Sequence, residues 1–315
     1  MSNLNPFTFR SRKVRRQEPR RKPGSPARPA RHVLDTRLPV GALSIYDPIF
    51  IGVDDRGCAV KLPLMYRNLL CAGEPGSGKS VALNNIVAHA ALCLDTELWL
   101  IDGKLVEMLP YAPVADQFVG NDVRHALRAL RSAQAELERR YDMLARSGRR
   151  KISRADGLKA IVLVIDELAY FSVTVGTKDT KEEFITLVRD LVARGRAAGI
   201  IVVAATQRPS ADIIPTSLRD LFSYRLAFRC TTDSSSDIIL GVGWAHEGYS
   251  AKRIAPEDRG VGLLLAEGGI PGRFKTAYLS DGEIQTIVAK AAYLRANYRA
   301  PTGDETGPSD GGEAA

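Results

Sequence analysis

The sequence is poor in the residues that build metal centres and disulfide scaffolds. Its 315 residues include only four cysteines and four histidines, and no two cysteines form a Cys-x-x-Cys pair. Cys71 and Cys93 fall in apolar runs, where a cysteine is usually a small core residue. The sequence therefore offers no zinc-ligand spacing and no disulfide framework, which suits a reducing compartment.

Long apolar runs are also lacking. No stretch approaches the roughly 18–20 apolar residues that span a bilayer, and no apolar signal-peptide region follows the basic start. Hydrophobic residues make up 45% of the chain and charged residues 25%, which is typical of a globular protein. We therefore expect a cytoplasmic protein, and docking at a membrane through a partner protein stays open.

The net charge of +8 is unevenly distributed. Residues 1–37 carry +9 and residues 300–315 carry −4, which leaves +3 for residues 38–299. Both ends are too polar to build a core, so we predict a disordered basic arm over 1–37 and a disordered acidic tail over 300–315. The arm suits contact with nucleic acid or anionic lipid, or serves as a solubilising tail. One α/β domain over 38–299 is the simplest interpretation of the remainder.

A phosphate-binding pattern dominates that central domain. It reads Gly73-Glu74-Pro75-Gly76-Ser77-Gly78-Lys79-Ser80. An apolar run before it predicts a buried strand, and helical spacing of apolar residues from Val81 predicts a helix after it. Glycines let backbone N–H groups face a phosphate, and the helix N-terminus adds its positive end. We expect the segment from Gly73 to Val81 to bind ATP, with Lys79 on the outer phosphates and Ser80 on Mg²⁺.

Two acidic residues follow a second buried strand. The β-branched run over 160–165 ends at Asp166 and Glu167. Acidic side chains at the carboxyl end of a parallel strand lie where α/β folds place ligands. Asp166 is predicted to hold Mg²⁺, and Glu167 is the candidate base that positions the attacking water. Helix capping would be the alternative explanation for such a pair.

The other elements are predicted from periodicity. Residues 49–62 predict a β-hairpin, 123–144 a helix whose arginines form a solvated polar face, and 260–277 a late strand pair. Alternation over 224–229 is typical of an edge strand. Thr180 and Glu183 predict a capping box at the start of a further helix. Gln207 follows another buried strand, where it either senses a γ-phosphate or is a turn residue.

The order of these motifs resembles the motor domain of the FtsK/SpoIIIE family of double-stranded DNA translocases, over roughly residues 45–280. The segments that carry the resemblance are Gly73–Ser80, Ile101–Lys104, Arg139–Tyr141, Leu163–Glu167, Gly195–Gly199, Ala205–Ser210 and the Gly-Val-Gly-Leu-Leu stretch at 260. The most specific part is Arg-Ala-Ala-Gly followed by Ala-Thr-Gln-Arg-Pro-Ser. Gly103 departs from the family, which usually has proline there.

The resemblance implies a P-loop NTPase fold of the RecA-like, additional-strand type, with a mostly parallel sheet flanked by helices and a small N-terminal hairpin. It also implies ATP and Mg²⁺ as cofactors and Gln207 as a γ-phosphate sensor. Members act on double-stranded DNA as hexameric rings in which an arginine of one subunit reaches the ATP of its neighbour. Arg196 lies in the matching segment, and Arg194 is the second candidate.

Three functions stay open at this stage. An ATP-driven DNA translocase is the main expectation, for conjugative or plasmid transfer or for chromosome-type segregation, with element-encoded partner proteins. The family's larger members carry membrane spans and a winged-helix module, and neither pattern is found in this sequence. A type VII-like protein-secretion ATPase is the second possibility. A nucleotide-dependent binding or regulatory module with little hydrolysis is the third.

Overall fold

The computed structural model describes residues 39–298, so the predicted arm and tail lie outside the described residues. Its strands are β1 Ile49–Asp54, β2 Ala59–Leu62, β3 Leu69–Ala72, β4 Thr96–Ile101, β5 Gln117–Val119, β6 Ala160–Ile165, β7 Ile200–Thr206, β8 Tyr224–Phe228, β9 Val261–Ala266 and β10 Gly272–Thr276. Its α-helices are α1 Lys79–Leu92, α2 Val123–Arg146, α3 Lys178–Ala198, α4 Thr216–Arg219, α5 Asp233–Leu240 and α6 Asp281–Asn297.

These strands form one sheet of ten strands within the described residues, in the order β2-β1-β10-β9-β8-β3-β7-β6-β4-β5. The six strands from β8 to β5 run parallel to one another. The remaining four extend the sheet through antiparallel pairs, with the β1–β2 hairpin at the far edge. The mostly parallel P-loop fold and its small N-terminal hairpin are therefore confirmed.

Helices cover the sheet on both faces, which explains why the central strands are apolar without alternation. Successive residues of β3 show the two sides: Leu70 and Ala72 pack with α2 and α3, whereas Leu69 and Cys71 pack with α1. Cys71 and Cys93 are both buried free thiols, as predicted. Within the described residues, no helix combines the length and apolar character needed to cross a bilayer.

Two predictions about individual elements are wrong. β8 is a central strand, because β3 and β9 flank it, and an alternating sequence does not distinguish an edge strand from an interior strand with one polar residue. The α3 helix begins at Lys178 with Thr177 as its cap, whose side chain accepts from the backbone N–H of Thr180. Thr180 instead donates its hydroxyl to the carbonyl oxygen of Thr177, so it is not the capping residue.

The arginine-rich face of α2 is solvated except at one position. Arg140 is only 2% exposed, which corrects the prediction that it lies on a solvated face. Its guanidinium donates to the carbonyl oxygens of Ala198 and Lys159, at 2.8 and 2.9 Å, and to the Glu136 carboxylate at 2.6 Å. Arg140 therefore links α2 to the residues that directly precede β6 and β7. These hydrogen-bond partners satisfy its buried charge.

Candidate nucleotide-binding site

The phosphate loop turns sharply between β3 and α1. Gly78 caps the helix with a φ of +119°, a conformation that L side chains rarely adopt. Gly73 has no room for a side chain, because a Cβ there would lie 2.6 Å from the Cβ of Phe228. Lys79 and Ser80 consequently occupy the first turn of α1, where backbone N–H groups and the helix dipole favour an anion.

The loop is braced from the β8–β9 side of the sheet. The backbone N–H of Glu74 donates to the carbonyl oxygen of Arg229 at 2.9 Å, and their side chains form an ion pair at 2.5 Å. The backbone N–H of Gly260 donates to the carbonyl oxygen of Ser77 at 2.8 Å. A Cβ on Gly78 would lie 2.5 Å from the Cα of Gly260, so this close approach requires glycine at position 78, and the φ of +79° favours glycine at position 260.

Lys79 lies in a buried ion pair with Asp166. Its Nζ is 2.7 Å from Asp166 Oδ1 and 3.1 Å from the carbonyl oxygen of Asp166, and the two side chains are 3% and 0% exposed. Burial disfavours the charged form of Lys79, but the attraction of Asp166 outweighs that penalty and raises the pKa of Lys79. Lys79 is therefore a protonated amine beside the loop, as phosphate binding requires.

The residues present fit a Mg²⁺ ion. Asp166 Oδ2 is buried and has no hydrogen-bond partner, which is costly unless a cation or donor satisfies it. Ser80 lies in the first turn of α1, directly after the Lys79 that pairs with Asp166. Mg²⁺ binds through one or two protein oxygens together with substrate phosphates. Consistent with such a sparse site, no group of three or more His, Cys, Asp or Glu residues converges within 39–298.

Glu167 is held in one orientation by four groups, of which the backbone N–H of Ala169 donates to its Oε1 at 3.3 Å. Its Oε1 accepts from the Thr206 hydroxyl at 2.5 Å, and its Oε2 accepts from the backbone N–H of Gln207 at 3.0 Å. Lys104 Nζ, on the loop after β4, lies 3.5 Å from the same Oε2. Neither Thr206 nor Lys104 has a role predicted from the sequence. Their position at the carboxyl ends of β7 and β4, which flank β6, is the signal that could have found them.

A cleft of about 450 Å³ runs alongside the phosphate loop. Gln207 lines it together with Lys79 and Ser80, so the structure brings these predicted residues together. The opposite wall is formed by the β9–β10 side of the sheet and was not predicted, and it contributes Arg259, Gly260, Lys275, Thr276 and Tyr278. No local sequence signal links residues about 180 positions apart to the phosphate loop.

Arg196 does not join this cleft. It lies near the end of α3, which leads into the amino end of β7, whereas the nucleotide cleft is at the carboxyl end of that strand. Seven residues of strand span about 20 Å. The Arg196 guanidinium donates to the carbonyl oxygen of Tyr66 and to the Glu267 carboxylate, at 3.0 and 3.1 Å.

Arg194 lies on the same helix but is bound more extensively. Its guanidinium pairs with Glu138 at 2.6 Å and with Asp190 at 3.2 Å, and it lies over the Tyr141 ring. Arg196 has one carboxylate partner, and that partner is exposed. Arg196 is therefore the arginine that another molecule could engage at lower cost.

Comparison with known proteins places this domain in a family. Residues 48–160 match the sequence model of the FtsK/SpoIIIE family. The chain is similar to the DNA translocase FtsK of Halalkalibacterium halodurans, with 32% identity over 282 residues that cover 82% of this chain and 34% of the relative. The chain thus spans about a third of the length of the curated relatives that it matches.

Two solved structures have a similar fold. The monomer form of the pCW3 conjugation coupling protein TcpA with ATPγS superposes with a TM-score of 0.66 and 27% identity, over 78% of this chain and 70% of that chain. ATPases 2 and 3 of EssC from Geobacillus thermodenitrificans give a TM-score of 0.67 over 84% of this chain and 52% of theirs. Their identity is 15%, which shows a shared fold alone.

The sheet order and the phosphate loop define a P-loop ATPase domain. The family model and the sequence relatives specify the family: the chain carries a domain of the FtsK/SpoIIIE family. The resemblance seen in the motif order is thereby confirmed.

Proposed function

We propose that this protein is an ATP-driven motor that moves double-stranded DNA. The observation that carries the proposal is that two residues of the cleft lining hold the acidic pair, in a domain 32% identical to DNA translocase FtsK: Lys79 contacts Asp166, and the backbone N–H of Gln207 donates to Glu167. Lys79 and Ser80 would hold the phosphates of ATP and Mg²⁺, and Asp166 would complete the metal's ligands. Bound Mg²⁺ supplies charge neutralisation at the transferring phosphoryl group.

The carboxylate of Glu167 would take the proton from the attacking water. Thr206 and Gln207 fix this carboxylate through hydrogen bonds to both of its oxygens, so the carboxylate needs little reorientation for the reaction. Gln207 lines the cleft beside Ser80 and would contact the γ-phosphate or that water. These roles favour a hydrolysing enzyme over the nucleotide-dependent binding module with little hydrolysis, since this chain carries the groups that would bind the phosphates, hold Mg²⁺ and activate the water.

The biological setting of the motor is a narrower proposal. The similarity to the TcpA coupling protein, at 27% identity, supports transfer of plasmid or other mobile-element DNA over chromosome segregation. The type VII secretion ATPase EccC of Thermomonospora curvata shares the fold at 22% identity, so it does not favour the protein-secretion alternative. We place the motor in the cytoplasm, with docking at a membrane through element-encoded partner proteins.

The test is the ATPase rate of the full chain with and without linear duplex DNA, over a range of protein concentrations. We expect duplex DNA to raise the rate, and the rise to steepen with protein concentration as subunits assemble on the DNA. Because phosphate contacts release counterions, the DNA concentration needed for half-stimulation should increase with salt. An ATPase rate indifferent to duplex DNA at every protein concentration would overturn the DNA motor.

We infer that the active form is a ring, with a hexamer as the expected assembly, because Arg196 cannot reach the cleft of its own chain. In a ring, Arg196 would contact the ATP of the neighbouring subunit and stabilise charge on the transferring phosphoryl group. Reaching that position would exchange its contact with Glu267 for one with phosphate oxygens, which form stronger bidentate pairs with arginine.

The Arg196→Ala variant is expected to lower the DNA-stimulated turnover number by about 10³-fold while leaving the Kd for MgADP unchanged. Arg194→Ala is the matched control. Arg194 forms ion pairs with Glu138 and Asp190. Its loss should therefore lower the melting temperature but keep the turnover number within a few-fold of wild type. If Arg194→Ala reduced turnover as much as Arg196→Ala, the assignment of Arg196 would be wrong.

Mixing two inactive variants tests whether Arg196 acts between subunits. Arg196→Ala lacks the arginine but keeps Glu167, and Glu167→Gln has the opposite defect. Mixed rings contain interfaces at which both groups are intact, so activity should return on mixing. No recovery in verified mixed assemblies would contradict action between subunits.

A further inference from the structure

An aromatic residue that takes no part in the proposed hydrolysis lines the cleft beside the phosphate loop. Tyr278 lines this cleft together with Ser80 and Val81. Its side chain is 72% exposed, the largest exposure of any tyrosine among the described residues. Within the described part of the chain, its ring pairs with no other aromatic ring and no cation. A large apolar ring is thus left facing solvent next to a nucleotide site.

The position of Tyr278 is fixed by a buried asparagine on the phosphate-loop helix. Asn85 Nδ2 donates to the carbonyl oxygen of Ala277 at 2.8 Å and to that of Val81 at 3.0 Å. One amide group therefore ties the first turn of α1 to the residue directly before Tyr278. Asn85 is 8% exposed, and its amide lies 3.3 Å from the hydroxyl of Thr276.

The strand before Tyr278 is anchored independently to the phosphate loop. The backbone N–H of Thr276 donates to the carbonyl oxygen of Gly260 at 2.8 Å, and the N–H of Gly260 donates to that of Ser77 at 2.8 Å. The backbone N–H of Ala277 donates to β1 through the carbonyl oxygen of Ile51. These bonds build a preformed wall, so the Tyr278 backbone is placed before any ligand arrives.

We propose that Tyr278 is the platform on which the base of the bound nucleotide stacks. This inference rests on the proposed function, because it takes the cleft to be the ATP site. The phosphates would lie at the loop and at Lys79, and the cleft continues past Val81 to the Tyr278 ring. A base covering this ring would remove apolar surface of both partners from water and form an aromatic stack.

Stacking on a single ring predicts a particular specificity. Every nucleobase presents a π-face, so a stacking platform raises affinity without selecting among bases. We therefore expect Tyr278 to increase the affinity for ADP and GDP by similar factors. It should contribute nothing to the binding of pyrophosphate, which has no base.

The experiment measures the Kd values of Mg²⁺ complexes of ADP, GDP and pyrophosphate by calorimetry, with pyrophosphate also titrated as a competitor. Tyr278→Ala is expected to weaken ADP and GDP binding roughly tenfold and to leave pyrophosphate binding unchanged. Tyr278→Phe should retain wild-type affinity, because the ring is preserved. Tyr293→Ala is the matched control, since Tyr293 is also exposed, at 54%, but lies on α6 outside the cleft lining.

The outcomes separate this inference from the proposed function. If the wild-type protein binds ADP and Tyr278→Ala binds it equally well, the stacking role is wrong while the nucleotide site stands. Equal weakening of pyrophosphate and ADP would mean that the substitution distorts the wall, which also overturns a stacking role. Failure of the wild-type protein to bind any of the three ligands would overturn the nucleotide site itself.

Discussion

The Glu167→Gln variant is expected to hydrolyse ATP about 10²–10⁴-fold more slowly than the wild-type protein, with and without duplex DNA. Glutamine has nearly the same shape as glutamate but cannot accept a proton at neutral pH. Its amide oxygen can still accept from the Thr206 hydroxyl or the Gln207 backbone N–H, so the local structure should be kept. The loss should therefore lie in the chemical step and not in folding or binding.

Two measurements distinguish this outcome from a general defect. The Kd for MgADP and the melting temperature of Glu167→Gln should match those of the wild-type protein. Glu107→Gln is the matched control, because Glu107 is a carboxylate of the cleft lining that, within the described residues, forms no hydrogen bond or ion pair with Glu167, Thr206, Gln207 or Lys104. Its rate should stay close to wild type. A Glu167→Gln rate within a few-fold of wild type would remove Glu167 from the chemical step.

The sequence predicted the phosphate-loop side of the cleft because each of its parts has a local signature. The phosphate loop needs glycine where φ is positive, so the spacing of its glycines identifies the loop without any tertiary information. Asp166 and Glu167 end an apolar strand, and parallel strands bring their carboxyl ends to one edge of the sheet. The meeting of Lys79 with Asp166 follows from these two local facts, although 87 residues separate them.

The opposite wall could not be predicted in the same way. Gly260 precedes β9 and Thr276 ends β10, two of the antiparallel strands that extend the parallel part of the sheet. Their local sequence does not indicate that β9 pairs with β8. The interpretation of β8 as an edge strand concealed the same fact. If β8 were an edge strand, no strands would follow it to form a wall beside the phosphate loop. The wrong position of β8 therefore also prevented a prediction that Tyr278 lines the cleft.

The burial of Arg140 shows a second limit of periodicity. Helical spacing places it among exposed arginines, yet two of its partners are the carbonyl oxygens of Lys159, just before β6, and of Ala198, at the end of α3. Free backbone acceptors at the ends of helices and loops are invisible in a hydropathy pattern. The Glu136 carboxylate one turn earlier was the only local sign of a satisfied charge.

Lys79→Met is expected to lower the free energy of unfolding of the nucleotide-free protein by about 3–5 kcal/mol, in addition to removing MgADP binding. Methionine has a similar length but no charge, so Asp166 would be left buried without its cationic partner. The loss is more severe because Asp166 Oδ2 has no hydrogen-bond partner within the described residues. Once the lysine is removed from Oδ1, no side-chain donor from this part of the chain remains to either oxygen of the carboxylate. For a domain of this size the melting temperature should fall by about 10 °C.

The double variant Lys79→Met/Asp166→Asn decides whether this loss comes from the uncompensated charge. Asparagine keeps the shape of Asp166 without its charge, and neutral replacement of both partners of a buried pair costs far less than removal of one. The double variant should therefore melt well above Lys79→Met, although neither binds MgADP. MgADP should raise the melting temperature of the wild-type protein alone, since only a ligand that binds the folded state stabilises it. If the double variant melts no higher than Lys79→Met, the loss lies in packing around the lysine stem, and the buried pair does not stabilise the phosphate loop through its charge.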